Sequence, residues 1–172
     1  MQILKEKSRA KSQITFDEDF NVPDAKPDAG RLIQNKGRII MDDVRLTDGK
    51  GILTGNLQVD ILYVGEERGI VSSLTAKLPF EETLNLKDII NGDKMCLKWE
   101  IEDLTIRLIH SRKLNIKALV TFCATVDETE QIRLPVALDA EEVSVRKKTV
   151  RFLGLTVHKK DTLRIKDEYN IA

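Results

Sequence analysis

The side chains able to do chemistry are few and far apart. There are two histidines, His110 and His158, and two cysteines, Cys96 and Cys123. Hydrolysis needs a nucleophile, a base and an orienting acid converging on one pocket. His110 lies in a turn-forming run and His158 stands beside Lys159 and Lys160, so both read as surface histidines. Zinc needs three or four Cys, His or carboxylate ligands at suitable spacing. The two cysteines form no C-x-x-C pair and each falls in a strand-like run, so a buried free thiol is the simple reading and a disulfide between neighbouring strands the alternative. The adjacent acids Asp42 and Asp43, and Glu102 and Asp103, could do acid–base work only if burial raised one pKa. Each pair sits where the apolar phase of a strand flips, as it does at a β-bulge, and that is the stronger reading. Gly49, Gly51 and Gly55 lack the G-K-[ST] and the following helix of a phosphate loop. The reading is therefore a chain that is not an enzyme and carries no cofactor and no metal.

The totals agree. The 172 residues hold 28 basic and 28 acidic side chains, so no overall field favours nucleic acid or an anionic membrane. Arg146, Lys147 and Lys148 and the pair Lys159 and Lys160 could meet anions, but acidic runs lie close by. Aromatics are 5% of the chain, too few for stacking platforms or sugar-binding ladders. No run approaches the roughly 20 apolar residues of a membrane span, and the N-terminus has no signal-peptide core. A reducing cytoplasm is the expected place of synthesis.

What would position any site is a set of strands. Residues 51–64 alternate most clearly: Leu53, Leu57, Val59, Ile61 and Tyr63 against Thr54, Asn56, Gln58 and Asp60, with Gly55 on the apolar phase. Before it, residues 37–47 carry Ile39 and Met41 on one phase and Val44 and Leu46 on the other, with a bulge expected at Asp42 and Asp43. Asp48 and Gly49 mark a hairpin, and residues 65–69 a second connection. Leu74, Ala76, Leu78 and Phe80 make the next strand, where Pro79 predicts a sheet edge. Residues 84–90 hold a short strand or one helical turn, and 91–93 a turn. Met95, Leu97, Trp99 and Ile101 follow in core phase. The phase flips at Glu102 and Asp103, giving Leu104, Ile106 and Leu108. After a turn at 110–113, Leu114, Ile116, Ala118, Val120, Phe122, Ala124 and Val126 share one face. Residues 31–35 could make one helical turn. The fold class is all-β: an antiparallel two-sheet β-sandwich with β-bulges and at most one or two short helical turns.

Residues 1–12 are basic and polar and read as a flexible arm. Residues 13–126 form the sandwich. Residues 127–172 read as an acidic loop, with a short segment at 132–138, an irregular strand-like run at 143–157 and strand character again at 161–172. E-D-F-N-V near the start echoes D-E-Y-N-I near the end, pairing Phe20 with Tyr169 and Val22 with Ile171. The end of the chain is then the linker into, or the first strand of, a second copy of the domain.

Several blocks, in order, resemble the SPOCS domain family, the repeated β-domain of spore-coat-associated proteins in clostridial spore formers. They are F-N-V-P-D-A-K-P-D, D-D-V-R-L-T-D-G-K, L-T-G-N-L-Q-V-D-I-L-Y-V, K-L-P-F-E-E, W-E-I-E-D-L-T-I-R-L and S-R-K-L-N-I-K-A-L-V-T. The match is close over residues 13–126 and looser beyond. Longer members end in a LysM module that contacts the coat's basement-layer ATPase; this sequence has no such module, so that contact does not carry over. The resemblance implies a scaffolding role in the spore envelope, with synthesis in the mother-cell cytoplasm and protein partners in the coat.

Sandwich sheets end in unpaired N–H and C=O groups that can accept a strand from another chain. Two terminal segments look like donors: Ile14, Phe16, Phe20 and Val22 at one end, and Leu163, Ile165, Tyr169 and Ile171 at the other. The expectation is self-association by strand exchange, so a homo-oligomer, with folding back onto the chain's own domain as the rival. A ligand- or carbohydrate-binding β-domain, marked by an exposed aromatic patch, is the alternative function; Trp99, in core phase, speaks against it.

Overall fold

The structure is a computed structural model that describes residues 2–67, 69–90 and 92–131, and beyond them 133, 144, 146, 148 and 149. The strand expected over residues 161–172, including Leu163, Ile165, Tyr169 and Ile171, lies outside the described residues, as do the segment at 132–138 apart from Arg133 and most of the run at 143–157. The chain divides into two compact units, Glu6–Glu128 and a second made of Met1–Lys5 with Thr129–Ala172. In the second, Lys5 and Glu130 form an exposed ion pair at 3.4 Å.

Among the described residues, six strands make two antiparallel three-stranded sheets. They are β1 (Gln2–Asn21), β2 (Ala29–Thr47), β3 (Lys50–Gly65), β4 (Val71–Asn85), β5 (Met95–His110) and β6 (Lys113–Gln131). One sheet runs β1-β6-β5 and the other β2-β3-β4. The most regular sequences occupy the sheet centres. On β3, Leu53, Leu57, Val59, Ile61 and Tyr63 are at most 1% exposed, and on β6 every second residue from Leu114 to Val126 is at most 3% exposed. A strand paired on both sides, with one face on another sheet, buries half its side chains, which is what strict alternation encodes.

Aromatic contacts join the sheets. Phe80 of β4 meets Phe16 of β1 edge-on, with ring centroids 6.2 Å apart, and Phe122 of β6 at 5.2 Å. The Ser12 hydroxyl donates to Glu82 at 2.6 Å, so β1 also touches β4 above the core. On the other side, a methyl placed on Gly37 of β2 would meet Leu104 at 2.9 Å and Ile101 at 3.2 Å, so β2 lies against β5.

Both expected bulges are present: the register slips between Met41 and Asp43 and between Ile101 and Asp103. Gly49, with φ of 77°, closes the β2–β3 hairpin in the left-handed region that favours glycine. Pro79 lies on the edge strand β4, opposite Asn56 of β3, in keeping with the sheet edge expected from its missing N–H.

Four expectations are corrected. Residues 31–35 are not a helical turn; they belong to β2, paired to 61–64. Two further register slips, at Gly30 and Ile33, scramble their alternation. Residues 84–90 hold no helical turn either: β4 ends at Asn85, and Leu86 and Ile89 are buried on either side of a turn at Lys87 and Asp88. Residues 2–12, expected as an arm, lie inside β1. The inner face of that part is Ser8, Ala10 and Ser12, small residues that fit under β4 but give no apolar signal. The cysteines are free but not buried: Cys96 is exposed and Cys123 half-buried. They pair across the ladder with Thr125 and Lys98, on the outer phase.

Candidate functional site

Among the described residues nothing converges for catalysis. The two acidic pairs sit on different sheets. Asp42 accepts from the Asn56 amide at 2.7 Å, and Asp43 accepts from the Val44 N–H at 2.8 Å and from Arg45. Glu102 accepts from the Thr121 hydroxyl and from the Gln13 amide at 3.2 Å, linking all three strands of its sheet. Asp103 accepts from Thr105 at 3.4 Å. The hydrogen bond from Arg45 holds the Asp43 carboxyl below its ordinary range, and that from Thr121 does the same for Glu102. A general acid needs the opposite shift. The acids instead mark bulges on β2 and β5, two edge strands, where a bend and a negative charge discourage indiscriminate edge pairing. His110 is exposed and its Nδ1 accepts from the Arg112 N–H at 3.3 Å. No group of three or more His, Cys, Asp or Glu among the described residues is placed to hold a metal. His158 lies outside them.

The most elaborate polar structure is a clamped loop that sequence reasoning missed. The connection from β1 to β2 crosses from one sheet to the other through V-P-D-A-K-P-D-A, whose two prolines have no N–H to give to a ladder. Its ends are tied to the β5–β6 turn: the Val22 N–H donates to the Arg112 carbonyl at 2.9 Å and the Ala29 N–H to the Ser111 carbonyl at 2.7 Å. The Arg112 guanidinium donates to the Lys26 carbonyl, to Asp28 and to Asp24 at 2.9–3.0 Å. The buried Tyr63 donates its hydroxyl to the Pro27 carbonyl at 2.8 Å. The planar fork of arginine suits several acceptors at once. The signal available beforehand was only that two blocks, F-N-V-P-D-A-K-P-D and S-R-K-L-N-I-K, each held polar residues without an obvious partner.

A shallow depression of about 320 Å³ lies on the outer face of β2-β3-β4, among Gln34, Lys36, Asp60, Leu62, Ser73 and Thr75. Its acceptor is occupied: Asp60 takes hydrogen bonds from Gln58 at 3.1 Å and Thr75 at 2.8 Å, which lower its pKa, and pairs with Arg38 at 3.4 Å.

Ile14, Phe16 and Phe20 share the inner face of β1, and Val22, just past its end, continues that phase; Phe16 and Val22 are 6% and 3% exposed. In this structure they pack in their own core. On the outer face, Asn115 and Lys117 of β6 bond Asp17, Asn115 and Lys113 bond Asp19, and these contacts fix the register of β1. Trp99 is on the core phase, opposite Phe122, as expected, but it is 43% exposed because β5 is an edge.

Residues 28–109 match the family model described as SipL, SPOCS domain. Over this segment the chain is similar to a SPOCS domain. No curated protein and no solved structure matches the chain. The match opens at Asp28, an Arg112 partner in the clamped loop, and takes in β2, β3, β4 and nearly all of β5. The SPOCS match thus comprises one full sheet and the edge strand of the other, while β1 and β6 complete the second sheet. SPOCS domains of the SipL type go with a sporulation-related, coat-associated role and are not a known enzyme family.

Proposed function

We propose that this chain is a non-catalytic scaffolding module of the bacterial spore envelope, working in coat assembly through protein contacts at its surface and strand edges. The observation that carries the reading is the SPOCS match over a sandwich in which the acidic pairs at Asp42 and Glu102 sit on different sheets, each held by its own neighbours. The protein is made in the mother-cell cytoplasm and ends in the spore coat. Fractionation of purified spores tests this. An antibody against the chain should detect it in the coat extract; detection only in the cytosol of vegetative cells overturns the reading.

Self-association by exchange of terminal strands belongs to the same proposal. Exchange of β1 together with Val22 would carry Ile14, Phe16, Phe20 and Val22 into a second copy and leave the same contacts in place there. It also requires β1 to leave β6 and the Arg112 clamp to open, so slow exchange is its expected signature. Deleting residues 1–22 and measuring mass by light scattering tests it: unchanged assembly means β1 is not the donor.

The alternative, a carbohydrate- or ligand-binding β-domain, draws support from the exposed Trp99. That residue lies in β5, in the other sheet from the depression, so the two do not build one site.

A further inference from the structure

The strands β2 and β5 are edges of different sheets and border the same side of the sandwich. Two residues there are on the core phase yet uncovered. Val44 stands opposite the buried Leu53, and Trp99 opposite the buried Phe122, but each is 43% exposed. Each side chain enters the space between the sheets where, among the described residues, no further strand closes it.

The levels of the two strands are fixed by close packing. Gly37 lies against Ile101 and Leu104, while Gly51, the partner of Leu46, lies against Met95. So β5 runs antiparallel to β2, with residues 101–104, midway along β5, level with residue 37 and its start level with residue 46. Exposed charges follow these levels with opposite sign. Lys36 and Arg38 of β2 are level with the Glu100 and Glu102 region of β5, and Asp42 of β2 is nearest in level to Lys98.

We propose that two copies of this chain join across this side, about a two-fold axis parallel to the strands. That rotation preserves strand direction and level. It brings β5 of each copy beside β2 of the other, antiparallel, twice by symmetry. Each three-stranded sheet continues into the opposite sheet of the second copy, and Trp99 and Val44 become interior. The cations of each β2 face the anions of the other copy's β5. The bulges at Asp42 and Glu102 limit each ladder to a short run, so the dimer is weak and concentration-dependent. The inference rests on geometry and charge alone and stands or falls apart from the coat reading.

The test uses the full chain, whose single tryptophan is Trp99. Sedimentation velocity should show mass doubling with concentration, and Trp99 emission should shift to the blue along the same isotherm. Arg38→Glu or Glu100→Arg should each weaken association roughly tenfold or more, because both seams are hit. The double variant should recover it. Both side chains are exposed, and circular dichroism checks that the variants fold. A monomer up to millimolar concentration overturns the proposal and leaves the side free for a different protein. So does association without the Trp99 shift, or single variants that associate like the wild type.

Discussion

Arg112 and Asp28 meet at 3.0 Å although they are far apart in sequence, and this pair fastens the sheet-to-sheet crossover to the β5–β6 turn. The same guanidinium reaches Lys26 and Asp24, so one side chain orders the loop through three acceptors.

Arg112→Ala should therefore destabilise the fold by about 1–3 kcal/mol, the range for charge-assisted hydrogen bonds at a partly exposed site. Arg112→Lys should recover little, because an ammonium cannot reproduce the fork. Urea unfolding checks this: the midpoint should fall with the slope unchanged. An unmoved midpoint means the loop holds without the clamp.

Tyr63→Phe isolates one contact. The ring is fully buried and its hydroxyl serves the Pro27 carbonyl. Removing the oxygen leaves that acceptor without its tyrosine donor and should cost about 1 kcal/mol. The same urea titration reads it, and a loss smaller than the error would mean water takes over the acceptor.

Gly55→Ala should be far more damaging. Gly55 pairs with Met41 at the bulge, and an added Cβ would fall on the Ile40 carbonyl oxygen and lie 3.0 Å from Phe80. Backbone cannot yield as a side-chain tip does, so a loss of about 3 kcal/mol or more is expected. Gly69→Ala is the control. Its φ of 61° strains alanine but nothing stands within 4 Å, so it should cost only about 1 kcal/mol. Equal effects in the two variants would contradict the close approach at the bulge.

Acid should weaken the fold. Asp93 accepts from Lys7 at 2.8 Å and from the Ile90 N–H at 2.9 Å, and these bonds hold its carboxyl below the ordinary value. Asp17 and Asp19 are lowered likewise by Lys117 and Lys113. A carboxyl with a depressed folded pKa contributes stability that is full above its unfolded pKa and lost as pH falls through the folded one. Stability should therefore decline as pH drops below about 4. Asp93→Asn should flatten part of that decline. Unfolding free energies that do not fall between neutral pH and pH 3 would contradict the assignment.

How much of this was legible depended on where each strand sits. Central strands announced themselves because pairing on both sides forces alternation, as in Leu53 to Tyr63 and Leu114 to Val126. The bulges at Asp42 and Glu102 were readable because each flips a clear apolar phase. Those at Gly30 and Ile33 were not, because two slips so close together left no phase to flip. The start of β1 was hidden by its use of Ser8, Ala10 and Ser12 on the inner face. The exposure of Trp99 could not be read from its phase: phase tells which way a side chain points, while strand order tells whether anything covers it. Arg112 escaped notice because its partners lie on a loop that only the fold brings to it.

Fluorescence microscopy of sporulating cells carrying a tagged chain tests the proposed coat-associated role. A shell of signal around the developing forespore is expected. A signal spread evenly through the mother cell to the end of sporulation would contradict it.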